Sequence, residues 1–123
     1  MTRITTDQPN LLVLNLLKAV EWNEQGPRTR LLSDNGDSRL ILLTLRAGQE
    51  LKEHLSPSKL IVQVIEGSVA FTADGQQVIL QAGMLCQIVT GLPHQLRAEK
   101  DTVLLLIMTP SPASEQKEGG ARA

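Results

Sequence analysis

The chain is poor in aromatic residues, and this shortage limits what it can bind. Its 123 residues include Trp22 and Phe71 as the only aromatic side chains and no tyrosine, which argues against the stacking platforms that bind single-stranded nucleic acid. The core must therefore be built from leucine, valine and isoleucine. Twelve basic residues against thirteen acidic residues leave a net charge of -1, so the composition gives no electrostatic sign of a nucleic-acid partner or an anionic membrane.

Cysteine and long apolar runs are also scarce. Cys86 is the single cysteine, which excludes an intrachain disulfide and fits a reducing cytosol. The longest apolar run, LLVLNLL at residues 11–17, is far shorter than the ~20 residues of a membrane helix. Lys18 and Glu21 follow this run, and the small-residue cleavage pattern of a signal peptide is missing. We therefore expect a cytoplasmic protein with no membrane partner and no nucleic-acid partner.

From Arg39 onward, short strand-like segments are separated by glycine turns. The length of the chain suits one domain. The pair Asp74-Gly75 predicts a hairpin. This regular spacing predicts an all-β fold, an antiparallel sandwich or barrel, rather than βαβ units. The predicted strands lie in RLILLTLRAG, LIVQVIEG, SVAFTADG, QQVILQAG, MLCQIVTG, HQLRAEKD and TVLLLIMT.

The segments on either side of these strands are less regular. Residues 11–22 fit either a short helix capped by Asn10 or a buried strand, and the sequence does not decide between them. RTRLLS is a further short strand candidate, followed by a turn at DNGDS. From Pro110 the chain is rich in proline, serine and glycine and has almost no large apolar residue, so we predict a disordered tail over 110–123.

The spacing of glycine and histidine in the middle of the chain resembles that of the cupin family. The first cupin motif is G-x5-H-x-H-x3-4-E-x6-G; here Gly48 is followed by five residues and then His54, and Gly67 closes the motif. The second motif is G-x5-P-x-G-x2-H-x3-N. Three residues fall on its positions: Gly83, Gly91 and His94.

The sequence departs from both motifs at the positions that carry chemistry. In the first motif, Ser56 replaces the second histidine and Leu60 replaces the glutamate. In the second motif, Val89 replaces the proline and Ala98 the asparagine, and Met84 stands where an acidic residue is common. The resemblance covers roughly residues 39–108. This segment is similar to a largely uncharacterised subgroup of small single-domain cupins.

The resemblance implies an RmlC-like antiparallel β-barrel, a double-stranded β-helix or jelly roll, with a ligand pocket inside. On this interpretation residues 39–109 form the barrel and residues 110–123 the tail. Residues 1–38 form a short N-terminal extension that packs partly on the barrel or on a dimer partner. Its leucines and tryptophan exceed what a small barrel encloses alone, so we expect a homodimer.

His54 and His94 match two of the four cupin metal ligands, and the resemblance implies that they point into one cavity. Two neutral imidazoles alone make a poor metal site, because catalytic metals generally have at least three protein ligands. Leu60 cannot coordinate a metal, and the Ser56 hydroxyl is a weak ligand. We therefore expect His54, Ser56 and His94 to be the polar groups of a ligand-binding pocket.

Three further side chains complete the predicted pocket. Cys86 shares the strand face of Ile88 and is expected to act as a small hydrophobe, with a role as a third metal ligand as the sharper alternative. Met84 and Met108 are candidates for the pocket mouth, with ordinary core packing as the default interpretation. Because no anion-binding loop accompanies them, three arginines are interpreted as surface charges: Arg28, Arg30 and Arg39.

Three functions are compatible with these residues. The first is binding or sensing of an unknown small molecule in a largely apolar pocket, without a tightly held metal or turnover. The second is a metal-dependent enzyme of the oxygenase or isomerase type, in which His54 and His94 hold iron, manganese, nickel or zinc. The third is an interaction module whose own side chains fill the pocket. The missing carboxylate and histidine favour the first function.

Overall fold

Two antiparallel sheets face each other and enclose a core of aliphatic side chains. The computed structural model describes residues 10–112. The sheets have strand orders β1-β2-β9-β4-β7 and β3-β8-β5-β6, which confirms the predicted all-β jelly-roll class. The strands are β1 (Arg28–Asp34), β2 (Arg39–Leu45), β3 (Glu50–His54), β4 (Lys59–Glu66), β5 (Ser68–Ala73), β6 (Gln76–Gln81), β7 (Leu85–Ile88), β8 (His94–Ala98) and β9 (Thr102–Thr109).

The β5–β6 hairpin forms at the predicted Asp-Gly pair. Asp74 has φ 53° and Gly75 has φ 72°. Positive φ at both central residues defines the type I′ turn, whose twist matches that of the flanking strands. Ala73 and Gln76 then face each other as the first pair of the ladder.

Gly67 joins β4 to β5 at a point where no other residue fits. Its φ is 99°, in the left-handed region that side chains with a Cβ rarely adopt. A Cβ at this position would lie 2.5 Å from the carbonyl oxygen of Asp101 and 2.7 Å from the Cα of Thr102. The absence of a side chain therefore lets the β4–β5 turn pass directly against the start of β9.

The five-stranded sheet buries both of its faces. Along β2, Leu43 and Leu45 face the smaller sheet and belong to the inner core. Leu42 faces the opposite way and packs with Leu32 and Val103 in a second, outer cluster. This double burial explains why β2 and β9 read as continuous apolar runs rather than as alternating ones.

The N-terminal segment covers the outer face of the larger sheet and is neither of the two expected forms. Between residues 10 and 27 it is irregular apart from one short 3₁₀ helix, Leu17–Ala19. Ala19 is buried in the outer cluster. The Thr44 hydroxyl donates to the carbonyl oxygen of Glu21 at 2.6 Å, which ties the segment to β2. Other apolar side chains that pack here are Leu14, Leu16, Val20 and Trp22.

The same segment leaves other apolar side chains uncovered within one chain. Leu11 and Val13 are each 79% exposed, and Leu17 and Leu31 are about half exposed. These side chains are compatible with the expected homodimer, which stays a prediction. Within residues 10–112 no helix is long and apolar enough to cross a bilayer; the cytoplasmic location also stays a prediction.

Strand β3 was missed by the sequence pattern. Lys52 and Glu53 interrupt any apolar alternation, and nearly every residue of the strand is exposed. Charged, short strands of this kind are typical of sheet edges, where they prevent unwanted pairing. β3 lies at such an edge, with β8 as its neighbour in the sheet.

Both segments predicted to lie outside the barrel contribute structure to it. β1 falls within residues 1–38 and pairs antiparallel with β2. At the other end, the Ser58 hydroxyl donates to the carbonyl oxygen of Pro110 at 2.6 Å, and Ser111 and Pro112 are buried. Residues 113–123, the rest of the predicted disordered tail, lie outside the described residues.

Replacement of Gly67 by alanine tests the close approach to β9. We expect Gly67→Ala to lower the free energy of unfolding by about 1–3 kcal/mol more than Gly83→Ala, because overpacking adds to the backbone strain. Gly83 is the matched control, since its φ is 91° and no atom lies within 4 Å of the position that a Cβ would take. Urea unfolding of both variants measures the difference; equal losses would contradict the proposed contact.

Candidate functional site

A cavity of about 170 Å³ lies between the two sheets. Most of its lining is hydrocarbon, contributed by both sheets. Four polar residues also line it: Arg39, His54, Ser56 and His94. Among the described lining residues there is no aspartate or glutamate. The apolar lining includes Leu51, Leu60, Val62, Phe71, Leu96 and Leu106.

The two histidines meet because their strands pair. His54 at the end of β3 lies directly opposite His94 at the start of β8, after an irregularity in the ladder between Leu51 and His54. Residues opposite each other in a ladder point to the same face of the sheet. The ring centroids are 4.3 Å apart and the ring planes are inclined by 60°. Both histidines therefore lie together in the wall of one cavity.

Backbone carbonyl groups determine the tautomer of both rings. The Nδ1 of His54 lies 2.9 Å from the carbonyl oxygen of Lys52, and the Nδ1 of His94 lies 2.9 Å from that of Leu92. A carbonyl oxygen only accepts hydrogen bonds, so each Nδ1 must carry the proton and donate. In the neutral imidazole each Nε2 then offers a lone pair and no proton.

His94 is the more enclosed of the two histidines. It is 2% exposed, and Phe71 stacks on it at a centroid distance of 6.0 Å. Within the described part of the chain its Nε2 is buried and has no hydrogen-bond partner. Burial lowers the pKa of His94 below its ordinary value; the hydrogen bond to Leu92 opposes this effect and the nearby His54 adds to it. The ring is therefore held neutral.

Ser56 and Leu60 occupy the two altered positions of the first cupin motif, and both line the cavity. Ser56 is 5% exposed, and its hydroxyl oxygen accepts a hydrogen bond from the Ser58 amide at 3.1 Å. Leu60 is 4% exposed and presents hydrocarbon where the motif has a carboxylate. The cavity wall is therefore less polar than the motif implies.

Of the other three predicted pocket residues, one lines the cavity and two do not. Met108 lines the cavity, beside Leu60 in the β4–β9 ladder. Cys86 lies instead in a second, more open depression that includes Val78 and Val89, and burial raises the pKa of its thiol. Met84 is 45% exposed in the β6–β7 turn, and neither it nor Cys86 lines the cavity.

Arg39 is a lining residue that the sequence interpretation placed on the surface. It begins β2, and strand alternation puts it on the same inward face as Ile41 and Leu43, which pack in the inner core. Its Nε donates to Asp34 Oδ2 at 2.9 Å. Because β2 is buried on both of its faces, strand parity in the sequence did not show which face carries Arg39.

The Asp34 carboxylate holds Arg39 in place. Burial raises the pKa of Asp34, but hydrogen bonds from Ser111, Arg39 and the Gly36 amide outweigh burial and leave the pKa below its ordinary value. The carboxylate is consequently ionised and fixed on several sides. Arg39 thus enters the cavity wall as a positioned cation rather than as a freely moving surface side chain.

The polar groups of the cavity do not fit a tightly held catalytic metal. Two Nε2 lone pairs are suitable ligands, but a third imidazole, thiolate or carboxylate is lacking among the described lining residues. Within residues 10–112 no group of three histidine, cysteine, aspartate or glutamate residues could hold a metal ion. The position that would supply a carboxylate is Leu60, and Cys86 lies in the other depression.

Comparisons with known proteins agree with this architecture. The Cupin domain family model matches residues 41–110. A conserved protein of unknown function from Streptococcus pyogenes has a solved structure that superposes with a TM-score of 0.72 at 26% identity, covering 89% of this chain and 95% of its own. No match was found among curated proteins.

Two further solved structures carry the cupin name. An RmlC-like cupin protein from Desulfovibrio desulfuricans has a TM-score of 0.77 at 27% identity, covering 83% of this chain and 99% of its own. A cupin superfamily protein from Desulfitobacterium hafniense has a TM-score of 0.73 at 17% identity, covering 82% and 93%, and shows the fold alone. Since the family match spans more than half of the sequence, the chain belongs to the cupin family.

Proposed function

We propose that the protein binds a small molecule in the barrel cavity without a tightly held metal. The observation that carries the proposal is the His94 side chain, which lines a largely apolar cavity and whose buried Nε2 has no partner among the described residues. A buried polar atom without a partner costs free energy that a bound ligand or water recovers. Apolar walls with few convergent polar groups are the usual form of a ligand pocket.

The size of the cavity limits the ligand. A dry apolar cavity of roughly 150 Å³ accommodates a benzene-sized molecule, and this cavity measures about 170 Å³. The ligand part that enters the barrel is therefore on the order of six to ten non-hydrogen atoms. Nucleotides, oligosaccharides and peptides are too large to be enclosed.

The polarity of the histidines limits the ligand further. In the neutral form of each ring the Nε2 atom accepts a hydrogen bond and does not donate one, because the Nδ1 proton is used by a backbone carbonyl group. The ligand must accordingly bring a hydroxyl or N–H group to this end of the cavity. A carbonyl or ether oxygen at the same place would face a lone pair and gain no hydrogen bond.

Metal-dependent catalysis is the second candidate, and one observation favours it. Histidines that bind metals commonly donate one ring N–H to a carbonyl group and coordinate through the other nitrogen, which is the arrangement of His54 and His94. A metal held there would act as a Lewis acid. The cavity supplies only these two good ligands among its described lining residues, so we place this function second.

Cyclohexanol and cyclohexanone form a matched pair of probes for the first proposal. We expect cyclohexanol to bind about threefold to tenfold more tightly than cyclohexanone, because only the alcohol donates to Nε2. The imidazole ¹⁵N resonances of the two histidines provide the measurement. The preference should fall in His94→Phe, which keeps a ring against Phe71 but removes the buried acceptor. Absence of any imidazole shift with either probe would overturn the proposal.

Elemental analysis of protein purified without a histidine tag separates the two functions. We expect well under one equivalent of bound metal after desalting, since two imidazoles hold a divalent ion weakly. The double variant Ser56→His/Leu60→Glu, which restores both missing motif ligands, should retain about one equivalent of Zn²⁺. Near-stoichiometric iron, manganese, nickel or zinc in the unaltered protein, lost in His54→Ala and His94→Ala, would reverse the order of the proposals.

The neutral state of His94 predicts a dependence of stability on pH. The unfolded chain binds a proton at this residue near the ordinary pKa of 6.5, whereas the folded pKa is lower. The unfolded state therefore binds more protons as the pH falls through this range, and the stability falls with it. Urea unfolding at about pH 7.5 and about pH 5.5, on either side of the ordinary pKa, should show a larger loss for the unaltered protein than for His94→Phe; equal losses would contradict a buried neutral ring.

A further inference from the structure

We propose that the ligand is a small organic acid and that Arg39 binds its carboxylate at the rim of the cavity. The inference rests on the proposed small-molecule function and adds the chemical class and the orientation of the ligand. Arg39 is the one cation among the described lining residues that stays charged at every physiological pH, and no acidic residue lines the cavity beside it. A guanidinium group in the cavity wall pairs with an anionic group and not with an amine.

The guanidinium group of Arg39 is oriented but not saturated. Its Nε is used by Asp34, whereas no hydrogen bond to either Nη atom occurs among the described residues. Asp34 neutralises part of the charge but lies outside the cavity lining. The remaining N–H groups can form a charge-assisted bond to a carboxylate, which is stronger than a neutral hydrogen bond.

Arg39 and His94 differ in burial and in hydrogen-bonding character. The Arg39 side chain is 27% exposed, whereas His94 is 2% exposed, so the cation lies nearer the solvent. An ionised carboxylate gains no hydrogen bond from the Nε2 lone pair of a neutral His94, since both groups are acceptors. The acid group must therefore lie at Arg39, and a hydroxyl or N–H group of the same ligand must point toward the histidines.

The structure thus assigns three parts to the ligand. A carboxylate lies at Arg39, a compact apolar body of about six carbon atoms fills the cavity, and a hydrogen-bond donor lies against His94. Hydroxy acids with a cyclic or branched carbon skeleton meet all three requirements. Neutral molecules of the same shape fill the same space but lose the contact with Arg39.

A matched acid and amide test this assignment. The probes are 4-hydroxycyclohexanecarboxylate and 4-hydroxycyclohexanecarboxamide, titrated into the full chain and followed by the histidine imidazole ¹⁵N resonances. We expect the acid to bind about tenfold or more tightly than the amide. Arg39→Gln should weaken binding of the acid about tenfold and leave that of the amide within about twofold.

Control variants separate a local contact from general electrostatics and from loss of folding. Arg97→Gln removes one positive charge at an exposed position of β8 outside the cavity and should leave the ratio of acid to amide affinity unchanged. Arg39→Lys keeps the charge but loses the planar fork, and should retain only part of the preference. If Arg39→Gln does not fold, the role of Arg39 is tested by the ratio of acid to amide affinity in the unaltered protein and in Arg39→Lys.

Each outcome has a defined meaning. Equal affinity for acid and amide in the unaltered protein, or a preference that survives Arg39→Gln, would refute the role of Arg39. If cyclohexanol still shifts the imidazole resonances in that event, the small-molecule function stands and the acid assignment alone fails. If no probe shifts them, both proposals fail together.

Discussion

Burial of both faces of the five-stranded sheet is the constraint on which the rest of the structure depends. The inner face packs against the smaller sheet, and the outer face is covered by the irregular segment that includes Ala19. The central strands β2 and β9 therefore carry apolar side chains on both faces along most of their length. Arg39 and Met108 are paired at one end of these strands and form part of the cavity wall. A positioned cation beside an apolar space follows from this packing.

The chemistry of the cavity is determined by which groups accept and which donate. The β3–β8 ladder brings His54 opposite His94, and two backbone carbonyl groups take the Nδ1 protons. The result is two Nε2 acceptors in the cavity wall, of which that of His94 is buried, together with the half-buried cation of Arg39. Hydrocarbon at Leu60, in place of the carboxylate of the motif, leaves the two histidines without a third good metal ligand among the described lining residues. The same substitution makes the cavity wall more apolar.

Much of the fold could be predicted because its signals are local. The Asp74-Gly75 turn requires positive φ at both residues, and the sequence places there a pair that adopts it readily. His54, Ser56, His94 and Met108 all line one cavity, and motif spacing and strand parity carry that information. β3 was missed because an exposed edge strand has no apolar alternation to detect. Cys86 was assigned to the same space because parity gives a face of a sheet but not a position along the barrel.

The sequence by itself determined the strand class, the glycine turns and the pair of histidines, because each depends on residues close together in the chain or on a repeated spacing. Only the tertiary structure decided the rest. Residues 11–22 pack on the outer face of the sheet as an irregular segment with one short 3₁₀ helix, and form neither the α-helix nor the strand that the sequence allowed. Whether Arg39 faces solvent or the cavity was settled by the pairing of β1, β2 and β9. Both outcomes are decided by contacts between segments distant in the chain, which no local pattern specifies.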